Sequence, residues 1–590
     1  MIKAFWERLR ESMALYLRFA ELLREHRFAM GLVLSLVLAT VALELLKPWP
    51  IQWIIDSALI GEPTGGLTRG DIILRGALMA AALVALDVVL DYWAAIKTAE
   101  IGQSVVRRLR GDLFAHMLRL SPKFHARHKT GDLLVRIMGD VPLVRTVLVD
   151  SSVAMASRVL LVLGTVIAMA WVDWRTTLVV LAVVPAFMLV LRIFSKRLTI
   201  QSRKQREKEG ELADSVHESL SATPTLQALG TEEEVGHMFA RQNRRSARAE
   251  LKSARLSARM GGSMELLFGV CTAAALWVGS TRVAEGALST GELLVFVAYV
   301  RSLLKPVRAT SKHSERWSKG IACAERLSSI LDEPIAIVSG AESIQPAARP
   351  QTLQFVDVRF AYEGQVEALR GFSATFQRGQ LAGLFGRSGS GKSTVAALTA
   401  RLYDPDAGEV LLDGIDLRKH DLPALRASSA LALQENVLFG MSLRDNLVLG
   451  KADATDDELH AALRAAGAAE FVARLPHGLD TELGSSGTGL SGGERRRICL
   501  ARTLLRPAPV LVVDEPFAGL DAVAVEIVMR TLRERSQESI VIVIAHDLDR
   551  LDRFDTIVYI EQGVVRDAGR HHELQARCTS YRESIRSMAS

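Results

Sequence analysis

Six apolar stretches in the first 310 residues constrain this 590-residue chain more than any other feature. An α-helix needs about 20 apolar residues to cross a membrane, and each stretch is long enough for one crossing. The predicted spans cover residues 28–46, 72–96, 152–172, 176–194, 262–280 and 288–309. Apolar residues make up 49% of the chain, which favours a membrane protein with a soluble half over a fully soluble protein.

The loops between these spans predict which ends face the cytoplasm. Three connections, at 57–71, 173–175 and 281–287, are short and carry one basic residue each. The other two connections are long and dense in Lys and Arg. The positive-inside rule therefore places both long loops and both termini in the cytoplasm.

Composition argues against two other classes of protein. The net charge of +6 is compatible with nucleic-acid binding, but the basic excess lies in loops that flank the membrane, so no nucleic-acid partner is expected. Cys271, Cys323, Cys499 and Cys578 are scattered without CxxC spacing. This pattern disfavours a metal site or a disulfide framework and suits a reducing compartment.

The long cytoplasmic loops are predicted to be helical hairpins. Residues 196–220 and 231–260 are rich in helix-forming residues and contain no Pro. "SATPTLQALG" separates these two runs, and "LSPKFHARHKTGD" interrupts the earlier long loop in the same way. We therefore expect a short transverse segment near 122–128 and another near 222–228, at the cytoplasmic tips of the hairpins.

A second domain is predicted after a linker. Pro and small residues replace the membrane pattern over 339–351, and from residue 352 short apolar runs alternate with helical patterns. The expected organisation is a membrane domain over 1–338, the linker, and an α/β domain over 352–590.

The segment "LFGRSGSGKSTV" (384–395) has the spacing of a phosphate-binding P-loop. An apolar run at 381–385 predicts a buried strand before it, and a helix is predicted after it. The glycines allow backbone N–H groups to turn toward phosphates, while Lys392 reaches the β- and γ-phosphates and Ser393 offers a hydroxyl to Mg²⁺. The predicted nucleotide-binding residues here are Gly386, Arg387, Ser388, Gly389, Ser390, Gly391, Lys392, Ser393 and Thr394.

Two further segments support nucleotide chemistry. "PVLVVDEP" (509–516) predicts a buried strand that ends in two carboxylates, where Asp514 suits Mg²⁺ and Glu515 suits polarisation of an attacking water. "GLSGGERRR" (489–497) places glycines at the start of a helix, an arrangement that favours a phosphate.

Together these motifs resemble those of the ATP-binding-cassette exporters, and the resemblance covers nearly the whole chain. "LSGGE" (490–494) resembles the signature motif of that family. The resemblance implies a membrane all-α six-helix domain with long cytoplasmic helical extensions, followed by a P-loop α/β nucleotide-binding domain. Such a half-transporter uses ATP and Mg²⁺, and is expected in the inner (plasma) membrane of a bacterium with its nucleotide-binding domain in the cytoplasm.

The resemblance also assigns roles to individual residues. Tyr362 would stack on adenine, Gln434 would reach Mg²⁺ and the membrane domain, and His546 would contact the γ-phosphate. Glu515, His546 and Gln434 are thus the expected catalytic set, with Ser393, Gln434 and Asp514 around the metal. The signature and dimer-crossing residues that would contact a nucleotide are Ser491, Gly492, Gly493, Glu494 and Asp521.

Three segments depart from the family pattern. Pro516-Phe517 stands where these exporters more often have the start of an Ala-Thr-Ser-Ala run. Ser485-Ser486 replaces a more usual Glu-Arg pair, and the signature ends in Glu494 rather than Gln. None of these changes removes a catalytic group, but the first two put the usual coupling across the interface in question.

The mechanism implied by the resemblance requires two chains. One nucleotide-binding domain supplies the P-loop and the other the signature, so the expected partner is a second half-transporter. A homodimer is favoured over a heterodimer because this chain keeps every catalytic motif. The other expected partners are membrane lipid and a transported lipid, drug, peptide or small metabolite. Importer-like use of the same architecture and an ATP-gated channel or regulator are the alternatives.

Acidic residues in the membrane domain raise the question of cargo. Asp87 and Asp91 lie four residues apart in the second predicted span and therefore share one helix face. A carboxylate facing lipid there costs about 3 kcal/mol, so a wet cavity or a partner such as Arg192 is expected. The pair either stabilises the helices or, together with Glu44, makes a substrate cavity attractive to cationic amphiphiles.

Overall fold

The computed structural model describes residues 17–60, 68–362, 367–432, 437–484, 487, 489–545 and 548–589. The chain divides into two compact units, with boundaries at 117/118, 130/131 and 332/333. The first unit is helical. The second contains the C-terminal α/β region together with residues 118–130.

Long helices dominate the first 332 residues, as the apolar runs and helix-forming loops predict. After a 3₁₀ turn at Glu21–His26, the α-helices are α1 (Arg27–Leu46), α2 (Trp49–Ile54), α3 (Arg69–Arg119), α4 (Pro122–Arg127), α5 (Thr130–Val135), α6 (Val141–Arg145), α7 (Ser152–Val172), α8 (Trp174–Ala182), α9 (Val184–Ser221), α10 (Thr223–Leu229), α11 (Glu232–Ala284), α12 (Thr290–Ser302) and α13 (Leu304–Leu331). Short π-helical turns occupy Ile55–Ile60, Arg136–Asp140 and Thr146–Ser151.

Both interruptions that the sequence predicts in the long loops form short helices. α4 begins at Pro122, and Pro224 lies in the first turn of α10, where the missing N–H of a proline costs nothing. Gly230 ends α10 with a φ of 65°, a conformation that glycine adopts without strain. The predicted helices on either side of the second interruption are confirmed as α9 and α11.

In the part of the chain that the structure describes, five helical segments are long and apolar enough to cross a membrane. They are Leu17–Ile60, Arg69–Arg119, Thr130–Val172, Trp174–Phe194 and Glu232–Ala284, and they contain the first five predicted spans. The sixth predicted span, 288–309, is instead divided between α12 and α13 by a turn at Leu303. Pro306 accounts for the break, because a proline has no N–H to donate to the carbonyl four residues earlier.

Polar contacts fix the later helices of this unit to the earlier ones. The Ser289 hydroxyl and the Gly291 N–H donate to the Asp56 carboxylate at 2.6 and 2.8 Å. Arg326 of α13 donates two hydrogen bonds to buried Asp140, at 2.8 Å from Nε and 2.7 Å from Nη2. Parallel hydrogen bonds between a guanidinium and a carboxylate are strong and directional, so this pair sets the register of α13.

The second unit is built on two β-sheets. Its strands are β1 (Thr352–Ala361), β2 (Glu367–Gln377), β3 (Leu381–Phe385), β4 (Ala407–Leu412), β5 (Ile415–Asp416), β6 (Ser429–Ala432), β7 (Val510–Asp514), β8 (Ile540–Ala545), β9 (Thr556–Glu561) and β10 (Val564–Gly569). An antiparallel sheet has the order β2-β1-β4-β5, and a six-stranded sheet has the order β10-β9-β3-β8-β7-β6. In the larger sheet β3, β6, β7, β8 and β9 run parallel, so their carboxyl ends lie along one edge.

From residue 392 onward, the described part of this unit contains nine α-helices, several of which contact the larger sheet. They are α14 (Lys392–Thr399), α15 (Leu422–Ala427), α16 (Leu443–Val448), α17 (Asp456–Ala465), α18 (Ala469–Ala473), α19 (Gly492–Leu505), α20 (Ala522–Glu538), α21 (His571–Arg577) and α22 (Thr579–Ala589). 3₁₀ turns lie at Leu417–Lys419, Gly478–Asp480 and Leu548–Arg553. Strands β3, β7 and β8 are buried along their whole length, which is typical of a parallel sheet covered on both faces.

Candidate functional site

The loop between β3 and α14 has the strand–loop–helix context predicted for a P-loop. Its glycines are required by close backbone approaches: a Cβ on Gly386 would lie 2.2 Å from the Ile560 carbonyl oxygen, and one on Gly391 would lie 2.5 Å from that of Ala368. Gly391 also has a φ of 105°, which L side chains rarely adopt. The fold therefore admits only glycine at these two positions.

Lys392 is the buried charge of this loop. Its side chain is 5% exposed, and Nζ donates to the carbonyl oxygens of Gly386 at 2.7 Å and Arg387 at 2.9 Å. Burial lowers the pKa of Lys392 to about 8, although Asp514 and Glu515 oppose the shift. Among the described residues, this ammonium group forms no ion pair. Because a buried cation without a counter-ion is costly, the site is suited to an anionic ligand.

A second observation fits an anion at the same loop. Ser390 is 4% exposed and its hydroxyl oxygen has no hydrogen-bond partner among the described residues. Arg387, Ser388 and Gly389 are exposed beside it. A buried hydroxyl without a partner is costly, so a ligand that bonds to it is favoured.

Two carboxylates stand at the end of β7, beside the P-loop helix. The Ser393 hydroxyl donates to Asp514 at 3.0 Å, which joins the first turn of α14 to the neighbouring strand. Asp514 is 8% exposed, and its burial raises the pKa of the carboxyl group, with Glu515 adding to the effect. A hydroxyl and a carboxylate at this separation are ligand types that Mg²⁺ binds directly or through water.

Glu515 is held in an uncommon backbone conformation. Its φ is 51°, which is rare for a residue other than glycine, and its N–H donates to the Ile544 carbonyl at 2.9 Å. The bond to β8 fixes this turn at the carboxyl edge of the sheet. Such strained conformations persist only where the surrounding structure maintains them, and they are found disproportionately at functional sites.

Tyr362 is the residue to which the family resemblance assigns stacking on a base. It is 41% exposed, and its hydroxyl accepts a hydrogen bond from Thr394 of α14 at 3.2 Å. Its ring contacts Phe360 and Tyr403 edge to face, with centroid distances of 4.9 and 5.5 Å. One part of the tyrosine is thus fixed to the P-loop helix and the rest remains accessible for stacking.

The signature segment begins α19. Ser491 caps the helix and forms a capping box with Glu494: the Ser491 N–H donates to the Glu494 carboxylate at 2.8 Å, and the Glu494 N–H donates to the Ser491 hydroxyl at 3.3 Å. The hydrogen bonds from Ser491 lower the pKa of Glu494. The exposed N-terminus of this helix offers Gly492 and Gly493 N–H groups to an anion.

Asp521 caps α20 by accepting from the Ala524 N–H at 2.7 Å. Arg496 in the signature helix donates to the Ala518 carbonyl at 3.0 Å, so the turn before Asp521 is fixed to that helix. Among the described residues, no hydrogen bond or ion pair joins Ser491, Glu494 or Asp521 to the P-loop. Gln434 and His546 lie outside the described residues.

Comparisons with known proteins agree with this architecture. Residues 30–307 match the family model for the ABC transporter transmembrane region, and residues 369–518 match that for the ABC transporter. An ATP-dependent lipid A-core flippase of Chromohalobacter salexigens is 32% identical over 82% of this chain and 83% of its own length. The flippase of the same description from Thiobacillus denitrificans is 30% identical over 97% of each chain.

The chain belongs to the ATP-binding-cassette exporters. A solved structure described as a bacterial Atm1-family ABC exporter with ATP bound matches with a TM-score of 0.82 and 27% identity, over 96% of this chain and 98% of that one. The exporter is an integral membrane protein with one helical membrane domain followed by one nucleotide-binding domain. It binds ATP and hydrolyses it to drive transport, and the half-transporter fold implies a dimer.

The departures from the family pattern in this exporter have partial structural explanations. Phe517 is 6% exposed and belongs to the core of the second unit, with the Arg550 guanidinium 5.7 Å from its ring centroid. Glu494 is explained by the capping box, in which either Glu or Gln can serve. Ser485 and Ser486 lie outside the described residues.

The acidic residues of the membrane domain do not form the expected ion pair with Arg192. Asp87 does not pair with Arg192: its carboxylate accepts from Lys47 Nζ at 2.7 Å, and Lys47 also pairs with Glu44. Asp91 is exposed and has no ion-pair partner among the described residues. Sequence reasoning missed Lys47, although its position three residues after Glu44, on the same helix face, was a usable signal.

Proposed function

We propose that this exporter moves a lipid-like amphipathic molecule across the inner membrane of a bacterium, with its nucleotide-binding domain in the cytoplasm. The observation that supports a lipid cargo most strongly is similarity to lipid A-core flippases over as much as 97% of the chain. The dense basic loops support the cytoplasmic placement, because Lys and Arg concentrate on that side.

In the proposed chemistry, P-loop residues bind the phosphates, and Glu515, directly after β7, positions the attacking water. Lys392 and the loop N–H groups neutralise phosphate charge, while Ser393 and Asp514 would hold Mg²⁺, with Gln434 as a further ligand. Bound Mg²⁺ would withdraw charge from the phosphate oxygens. Glu515 orients and polarises the attacking water, and His546 contacts the terminal phosphate.

The proposed partner is a second copy of this chain. Each site would combine the P-loop of one copy with Ser491, Gly492, Gly493, Glu494 and Asp521 of the other. Both halves of that composite site are present in this sequence, which favours a homodimer over a heterodimer. Closure of two such sites would draw the membrane domains together and change the side from which cargo is reached.

Glu44, Lys47 and Asp87 are proposed to line the path of the cargo, with Asp91 one turn further along α3. Two carboxylates share one ammonium, so this cluster keeps a net negative charge when all three groups are ionised. An ionisable group inside a membrane domain is functional by default because its burial is costly. The cluster therefore favours a cargo whose headgroup carries a positive charge.

The experiment is a lipid-translocation assay in proteoliposomes. Trace fluorescent lipids with cationic, zwitterionic or anionic headgroups are added, and a membrane-impermeant quencher reports the accessible leaflet. ATP should drive translocation by the parent chain, whereas Glu515→Gln should bind ATP but translocate nothing. The variant with Asp87→Asn and Asp91→Asn should lose movement of the cationic lipid selectively.

Each failure has a separate meaning. ATP hydrolysis without movement of any lipid would exclude the lipid cargo and leave the ATPase intact. Hydrolysis by Glu515→Gln within a few-fold of the parent would exclude the role given to Glu515. An equal loss for all three headgroups in the Asp variant would leave that cluster a structural role only.

A further inference from the structure

The segment 118–130 belongs to the same compact unit as the nucleotide-binding domain. Its apolar side chains Leu120 and Phe124 are 5% and 4% exposed, so the segment is well packed although α4 is only six residues long. His128 stacks on Phe124 with ring centroids 4.3 Å apart. These contacts leave Lys123 in a defined position within the unit.

Lys123 lies over an aromatic ring rather than beside a carboxylate. Its Nζ is 5.2 Å from the centroid of the Phe360 ring, within the range of a cation–π interaction. Among the described residues, Lys123 forms no hydrogen bond or ion pair. The cation–π contact with Phe360 is therefore the interaction through which its charge acts there. An ammonium group that is half-buried over a ring is partly desolvated, and the attraction strengthens accordingly.

Phe360 connects this contact to Tyr362, the residue expected to stack on adenine. It lies two residues before Tyr362, and its side chain is fully buried. Phe360 and Tyr362 meet edge to face at 4.9 Å, and Tyr403 contacts both rings, at 5.2 and 5.5 Å. Such aromatic pairs have preferred geometries, so the orientation of Phe360 constrains that of Tyr362.

We propose that Lys123 is a positioning residue for adenine, acting through Phe360 on Tyr362. Packing of the 118–130 segment would hold the tyrosine ring in the orientation that stacks on the base. By linkage, base binding would stabilise the packed segment to the same degree. The proposal rests on nucleotide binding, as in the proposed function, and on adenine stacking by Tyr362, the role that the family resemblance assigns to it. It adds the route by which a segment between two membrane helices senses the nucleotide.

The test measures nucleotide affinity rather than turnover. Full-length chains in lipid nanodiscs are titrated with a fluorescent ribose-labelled ATP in EDTA, so that hydrolysis does not occur. Lys123→Met removes the charge and keeps the length of the side chain, whereas Lys123→Arg keeps the cation over the ring. Lys129→Met is the matched control, because Lys129 is exposed on the same segment and contacts no aromatic ring among the described residues.

We expect Lys123→Met to raise Kd about twofold to fivefold, the range of an exposed to partly buried cation–π contact. Lys123→Arg and Lys129→Met should stay at the parent value. Tyr362→Leu should raise Kd by more, since base stacking on an aromatic ring contributes strongly. In the Tyr362→Leu background, Lys123→Met should have no further effect.

Three outcomes would overturn the proposal. The first is an unchanged Kd in Lys123→Met while Tyr362→Leu weakens binding, which would leave the role of Tyr362 intact. The second is a further rise when Lys123→Met is added to Tyr362→Leu, because the lysine would then act elsewhere. The third is an unchanged Kd in Tyr362→Leu, which would exclude adenine stacking and the relay together.

Discussion

At the scale of single residues, the P-loop lysine carries the clearest electrostatic signal. Lys392 is buried among backbone carbonyls with Asp514 and Glu515 near enough to affect its pKa. Desolvation dominates and disfavours the charged form, so the pKa is lowered to about 8. A bound polyphosphate would favour the charged form and raise the pKa again. Binding and protonation are therefore coupled at this residue.

This coupling predicts proton uptake on ATP binding. As pH rises through 8, Lys392 loses its proton in the free protein but retains it in the complex, so ATP affinity should fall and binding should take up a proton. Calorimetric titrations in two buffers with different ionisation enthalpies measure the uptake. We expect it to be small at pH 7 and more than half a proton at pH 8.5.

Lys392→Arg supplies the control for that prediction. The guanidinium stays charged throughout this range, so the variant should bind without the additional proton uptake between pH 7 and pH 8.5. Uptake equal to that of the parent in Lys392→Arg would assign the proton to another group.

The sequence predicted the local parts of the site better than its long-range contacts. The P-loop and the carboxylates after β7 depend on residues within a few positions of each other, and their strand and helix context follows from local pattern. The pairing of Asp87 with Lys47 joins residues 40 positions apart, which no spacing rule connects. The Lys123–Phe360 contact joins residues still farther apart in the sequence, and it depends on how segment 118–130 packs.

At the scale of elements, the long helices were predicted correctly, but the break inside the sixth predicted span was not. Apolar periodicity predicted the long helices well. It did not predict the end of α12 at Ser302, because the apolar run continues past that point while Pro306 disrupts the backbone hydrogen bonding. Similarly, Pro142 lies between two π-helical turns in the segment that leads into α7.

The packing of α13 against the third membrane-spanning segment depends on a glycine. A Cβ on Gly320 would lie 2.1 Å from a Val147 methyl carbon and 3.1 Å from the Leu143 carbonyl oxygen. Valine is branched at Cβ and cannot move away by a simple rotation. The contact therefore requires the two backbones to approach more closely than any side chain allows.

We predict that Gly320→Ala lowers the free energy of unfolding by about 1–3 kcal/mol, as expected for overpacking at a tight contact. Thermal unfolding in detergent or nanodiscs measures the effect as a lower Tm. Gly236→Ala in α11 is the matched control, because nothing lies within 4 Å of its added Cβ and alanine favours the helix. A Tm for Gly320→Ala at or above that of the control would show that the contact is not tight.

At the scale of the whole molecule, the fold is that of an exporter half, and in the proposed function its catalytic parts complement those of a second copy. The P-loop, Asp514 and Glu515 meet at the carboxyl edge of the large sheet. The Ser491 signature and Asp521 begin two separate helices, α19 and α20. Assembly of two chains would bring the second group to the first, so ATP binding and dimer closure would be one event.

The most direct test of this account mixes two inactive variants, Lys392→Ala and Ser491→Ala, each with a different affinity tag. In a mixed dimer both defects fall in one composite site, and the other site receives an intact P-loop and an intact signature. Random mixing should therefore restore up to roughly a quarter of the parental ATPase activity, with each variant alone near zero, because half the dimers are mixed and each has one intact site of two. Persistent inactivity in dimers carrying both tags would contradict a site shared between two copies of this chain.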